Sequence, residues 1–113
     1  MEIRQLQHFL AVVETGSFHK AAALVNITQQ AISRSIQQLE KECGGRLLER
    51  KKGTRHSVGP TSFGLLLLPR AQRALAELKG FRDELENLMG TGREMVRLGA
   101  TPTAVRGLLP AAI

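Results

Sequence analysis

The sequence predicts a mainly α fold in which three short helices and a two-stranded hairpin are followed by one long helix. Three observations predict it. Apolar residues recur at helical spacing in successive stretches, and a glycine or a capping hydroxyl marks the ends of those stretches. The aperiodic interval between the third and fourth stretches is the basic run ERKKGTRHSVGP, residues 49 to 60. A chain of 113 residues with 42% hydrophobic content can bury one modest core and carry an appended helix, but it cannot hold two full domains.

In the first stretch Ile3, Leu6, Phe9, Leu10 and Val13 share a face, with Arg4, Gln5, Gln7 and Glu14 between them. Gly16 stands where a helix C-terminus favours left-handed backbone, so helix one is predicted over residues 3 to 15. Ser17 is the expected cap of an alanine-rich helix through Val25, whose Ala21, Ala22 and Ala23 let another helix approach closely, and Asn26 makes the turn. Thr28 caps a third helix that runs to Gly44-Gly45. At 100° per residue Ile32, Ile36, Leu39 and Cys43 fall on one arc, which must face the core, and Gln30, Ser33, Arg34, Gln37 and Lys41 fall on the opposite one. The basic run then reads as a hairpin with its turn near Lys52-Gly53-Thr54.

Thr61 is expected to cap a long helix over residues 62 to 89. Leu67, Ala71, Ala74, Leu78, Phe81, Leu85 and Leu88 alternate steps of four and three, a heptad seam that Leu68 and Leu75 widen. Pro69 should kink or loosen the first turns, because it removes a donor and crowds the preceding carbonyls. Gly90-Thr91-Gly92 should end the helix, residues 95 to 100 (MVRLGA) are expected to form a strand, and TAVRGLLPAAI reads as a helix cut off as it begins. The expected organisation is residues 1–60, residues 61–90, and a truncated further domain over 91–113.

The third helix carries an unusual outer face. A solvated helix surface is usually stocked with Glu and Lys in i,i+4 pairs, yet between Gln29 and Gln38 the only charge is Arg34. Helix, capped short helix, tight turn and capped longer helix make a helix-turn-helix, and that explains the face. Glutamine amides and serine hydroxyls donate and accept, so they match the mixed edges of bases in a major groove, where phosphate would repel carboxylates. Arg34 can take guanine by O6 and N7, and glutamines can pair with adenine. Charge agrees: residues 15 to 60 hold eight bases (Lys20, Arg34, Lys41, Arg46, Arg50, Lys51, Lys52, Arg55) and three acids (Glu40, Glu42, Glu49), whereas residues 61 to 90 balance at four each. The hairpin would act as a wing, setting basic side chains beside phosphates or in a minor groove.

The stretch FLAVVETGSFHKAAALVNITQQAISRSIQQLEKECGGRLLER, residues 9 to 50, resembles the N-terminal winged helix-turn-helix of the LysR-type bacterial transcriptional regulators. Gly16-Ser17-Phe18 with Ala21-Ala22 resembles the family's second-helix signature, Thr28 to Arg34 the start of its recognition helix, and Leu39-Glu40 with Leu47-Leu48 and Arg50 the approach to its wing. The resemblance extends over residues 1 to about 90. It implies base reading by Gln29, Gln30, Ser33 and Arg34, to which the polar arc adds Gln37. Phosphate or minor-groove contacts are expected from Thr28, Lys41, Arg50, Lys51, Lys52 and Arg55. Three features depart from the family pattern: Gln30 replaces a frequent proline, the wing between Arg50 and Thr61 is longer, and Pro60-Thr61 stands for Leu-Thr.

The implied partner is double-stranded DNA, bound by a homodimer joined through the linker helix, with tetramers open to the full-length protein. Physics agrees with the dimer. Each buried leucine is worth about 1.5 to 3 kcal/mol, so exposed Leu78, Phe81, Leu85 and Leu88 want a second chain as cover. Residues 91–113 resemble a hinge and the start of the family's effector domain, where Thr101 and Thr103 would border an inducer pocket that only the full-length protein completes.

No cofactor, metal or catalytic role is expected. His8, His19 and His56 lack ligand spacing and read as surface or half-buried polar residues, and Cys43 reads as a small hydrophobe on the core-facing arc. No phosphate loop, dinucleotide fingerprint or G-x-S-x-G occurs. The single cysteine and the lack of a long apolar run point to the cytoplasm rather than a membrane. The alternative from another class is a winged-helix adaptor that binds protein and not DNA.

Overall fold

In a computed structural model of the chain, residues 1–51, 53 and 57–99 are described, the last nine of them as backbone only. The elements in chain order are α1 (Ile3–Thr15), α2 (Phe18–Val25), α3 (Gln29–Cys43), β1 (Leu48–Arg50), β2 (Val58–Pro60) and α4 (Ser62–Gly99). The chain divides into two compact units, Met1–Ala76 and Glu77–Ile113.

Local signals set the helix boundaries of the first unit. Gly16 closes α1 at φ 72°, a left-handed conformation that costs a residue with a Cβ and is free for glycine. One residue later the Ser17 side chain accepts the Lys20 amide at 3.1 Å and starts α2. Asn26, at φ 64°, closes α2, and Thr28 accepts the Ala31 amide at 3.0 Å to start α3. The chain therefore turns sharply twice, which sets α2 and α3 against α1 around one core. Phe9 and Val12 of α1, Ala21 of α2, Ile32 and Leu39 of α3, and Leu47 ahead of β1 are all at most 1% exposed.

The hairpin is antiparallel, with Leu48 opposite Pro60, Glu49 opposite Gly59 and Arg50 opposite Val58. It is tied to the body at the turn-side end of β2, where the Val58 amide donates to the Gly16 carbonyl at 2.9 Å. Thr61 joins it to α4: its amide donates to Leu47 O (2.9 Å), its hydroxyl donates to Arg46 O (2.6 Å), and its Oγ1 accepts the Gly64 amide (2.9 Å) as the helix cap. Leu67 and Leu68 pack on the core and Ala71 is buried, so the start of the heptad seam is covered by the first unit itself.

Two expectations need correction. α4 runs through Gly90 and Gly92 to Gly99, and residues 95–99 are helical rather than a strand. Each glycine weakens a helix by about 1 kcal/mol relative to alanine, but neighbours such as Leu88, Met89, Glu94 and Met95 favour it. A strand would also need a neighbour to pair with, and the two strands described pair with each other. The second correction concerns His8, which is buried at 9% exposure; Gln5 is buried as well, at 8%. Pro69 lies inside α4. No described helix is long and apolar enough to cross a membrane.

Candidate nucleic-acid interface

The polar side chains of α3 fall into two sets. Ser35 lies 2.7 Å from His8 Nδ1, Gln38 Oε1 accepts from Gln5 Nε2 at 3.4 Å, Thr28 caps the helix, and Glu40 Oε2 accepts the amides of Leu47 (2.7 Å) and Leu48 (3.2 Å). These four hold the helix in place. Gln29, Gln30, Ser33, Arg34 and Gln37 form the other set. Among the described residues their side chains make no hydrogen bond or ion pair, and all but the half-buried Ser33 are exposed. Donors and acceptors left over beside polar groups that are already engaged are available to an external partner.

The unengaged set stands between two grooves. Gln29, Ser33 and Gln37 line one, shared with Ser17 and His19 at the start of α2 and with Arg50 of β1. Gln30 and Arg34 line the other, shared with Arg4 and His8 of α1. The helix is thus a polar ridge with a cleft on each flank.

Basic side chains surround the ridge. Lys41 is exposed near the end of α3 and lies with Arg46 along a third groove. Arg50 and Lys51 are exposed at the wing, and the Lys51 stem lies over Gly59, where an added Cβ would come within 2.7 Å of its Cε. Lys52 and Arg55 lie outside the described residues, as do His56, Thr101 and Thr103. Sequence reasoning missed Arg46, whose guanidinium donates to Leu48 O at 3.2 Å and lies 3.8 Å from Glu40 while its side chain stays 76% exposed.

Burial, and secondarily the Arg4 charge, lowers the His8 pKa, so the imidazole facing Ser35 is neutral at physiological pH. Cys43 packs against the core, and burial with nearby Glu42 and Glu40 raises its thiol pKa, which disfavours the reactive thiolate. Of the seam residues, Ala74 is exposed and Leu78 half-buried, while Phe81, Leu85 and Leu88 of the second unit are 64%, 45% and 48% exposed.

Comparison with known proteins bears on this geometry. Residues 3–65 match the family model described as bacterial regulatory helix-turn-helix protein, lysR family. The chain is 43% identical over 112 residues to the SDS degradation transcriptional activation protein of Pseudomonas sp. (strain ATCC 19151), covering 99% of this chain and 36% of that protein. It thus spans about a third of the length of such relatives, which are transcriptional regulators. Among solved structures, the BenM_DBD/benA site 1 DNA complex matches at TM-score 0.70 and 38% identity, over 79% of this chain and 97% of that one. The CbnR_DBD-DNA complex matches at TM-score 0.67 and 36% identity, over 80% and 99%.

Proposed function

This chain belongs to the lysR family of bacterial regulatory helix-turn-helix proteins, and from that premise we propose that it is the DNA-binding part of a transcriptional regulator. The observation that carries this reading is the unengaged polar ridge of α3. A major groove about 12 Å wide admits one helix, and a ridge with a cleft on each flank leaves room for the two phosphate backbones. Gln29, Gln30, Ser33, Arg34 and Gln37 read base edges. Thr28, Lys41, Arg50 and Lys51 contact phosphates or the minor groove beside the wing, a role that extends to Lys52 and Arg55. The related DNA-binding domains solved on their DNA sites support this reading.

The functional unit is a homodimer. Phe81, Leu85 and Leu88 are apolar and exposed, and burying each is worth about 1.5 to 3 kcal/mol, so a second α4 is their natural cover. Two recognition helices would then meet one duplex about 34 to 36 Å apart, or at a multiple of that spacing, which demands a pseudo-palindromic site. Residues 1–60 are the reading domain and 61–90 the linker. Inducer binding belongs to the full-length protein.

Selection of bound duplexes from a random pool, followed by a salt titration on the enriched sequence, tests this. An enriched pseudo-palindrome is expected. For six to ten phosphate contacts, affinity should fall roughly 10³- to 10⁵-fold between 50 and 200 mM salt. A pool with no enrichment, or affinity indifferent to salt, would favour a protein-binding adaptor.

A further inference from the structure

We infer that Glu40 is a positioning residue that fixes the wing's angle to the recognition helix, and so the register between major-groove and wing contacts. The inference rests on the DNA reading above for its consequence, though not for its geometry.

The ladder shows why the wing needs such a tie. Thr61 donates to Leu47 O and Lys51 donates to Ser57 O, both at 2.9 Å, so these pairs and Glu49·Gly59 between them are in the hydrogen-bonded phase. Leu48·Pro60 and Arg50·Val58 are then in the alternate phase, with backbone groups turned outward. Pro60 therefore sits where no donor is needed. The outward Leu48 amide does need a partner, and so does the Leu47 amide, because the Thr61 carbonyl that would face it already accepts from Leu65 at 2.8 Å.

One oxygen of Glu40 takes both amides, at 2.7 and 3.2 Å, from a side chain only 14% exposed. Arg46 closes the arrangement by donating to the Leu48 carbonyl. Glu40 lies three residues beyond Gln37 on the same rigid helix, so the wing root is bolted to the rod that carries the base-reading side chains. On the other strand Val58 is held by Gly16 at the turn-side end of the ladder, and Thr61 is held by Leu47 and Arg46 at the root. Without Glu40 the hairpin keeps those hydrogen bonds and the buried Leu47, Leu48 and Val58 side chains, and can pivot about them.

Because a single oxygen accepts both bonds, glutamine can replace the geometry without the charge. Glu40→Ala and Glu40→Gln should therefore differ, which a purely electrostatic role would not produce. The test has two arms. In the free chain, with Cys43→Ala and nitroxides at Lys41 and Glu49, the distance distribution should be narrow for wild type and Glu40→Gln and broad for Glu40→Ala. On the selected duplex, hydroxyl-radical footprinting of the unlabelled proteins should show Glu40→Ala losing protection at the wing flank, with about tenfold weaker binding and an unchanged central footprint. A narrow distribution for Glu40→Ala, equal behaviour of the two variants, or loss of centre and flank alike overturns the inference. If wild type bound no duplex, the DNA reading would fail while the distance arm still decided whether Glu40 holds the wing.

Discussion

Replacing Gly64 with alanine should destabilise the protein, although alanine is the better helix former. The position is in the first turn of α4, where its backbone meets the Leu47 carbonyl so closely that an added Cβ would collide with that oxygen. The oxygen cannot easily retreat, because it accepts from Thr61 while the Leu47 amide is held by Glu40. Forcing atoms into a packed contact typically costs about 1 to 3 kcal/mol, and more where the neighbour is anchored backbone. Helix propensity returns up to about 1 kcal/mol. A net loss of about 1 to 3 kcal/mol is expected, read by urea denaturation at fixed protein concentration, because any self-association makes apparent stability depend on it. Gly80→Ala is the control: nothing lies within 4 Å of its would-be Cβ, so it should stabilise the helix by about 0.5 to 1 kcal/mol. A Gly64→Ala protein as stable as wild type, or gaining like Gly80→Ala, would refute the close approach of α4 to the wing root.

Lowering pH should weaken the fold through His8. Its folded pKa lies below the ordinary 6.5, so the unfolded chain binds more protons in the window beneath that value; stability should drop as pH falls through about 6.5 and level off below the folded pKa. His8→Gln should flatten that dependence in denaturation series between pH 5 and 8, and an unchanged slope would contradict it. Arg34→Ala should relax preference at one base position by about 1 to 3 kcal/mol, whereas Lys51→Ala should weaken cognate and scrambled duplexes alike; equal losses on both for Arg34→Ala would remove it from base reading. Leu85→Glu should shift sedimentation toward monomer and weaken binding to a two-half-site duplex, while binding to a half-site should change little. Dimers that persist would place the interface elsewhere.

Most of the first unit's architecture was legible because its signals are local. Gly16, Ser17, Thr28 and Gly44 each act within one turn of the helix they bound, and the arc of Ile32, Ile36 and Leu39 is visible from spacing alone. Groups that act across the chain were not legible. Gln5 meets Gln38 and His8 meets Ser35 from separations of 33 and 27 residues, and a polar residue on α1 looks solvent-facing until a second helix is laid beside it. Glu40 reads as an ordinary helix carboxylate, and only the ladder phase reveals two amides waiting for it. Gly90 and Gly92 misled in the other direction: glycine ends a helix when the chain turns left-handed there, and weak propensity by itself does not compel that turn. For the interface, the missing information was which polar side chains of α3 are already occupied, a property of contacts and not of residue type.

The ridge itself is tested most directly by solving the chain on its selected duplex. Gln29, Gln30, Ser33 and Arg34 should then lie within hydrogen-bonding distance of base edges in the major groove, with Lys51 beside the backbone or minor groove. A complex in which those side chains face solvent while another element enters the groove would contradict the account.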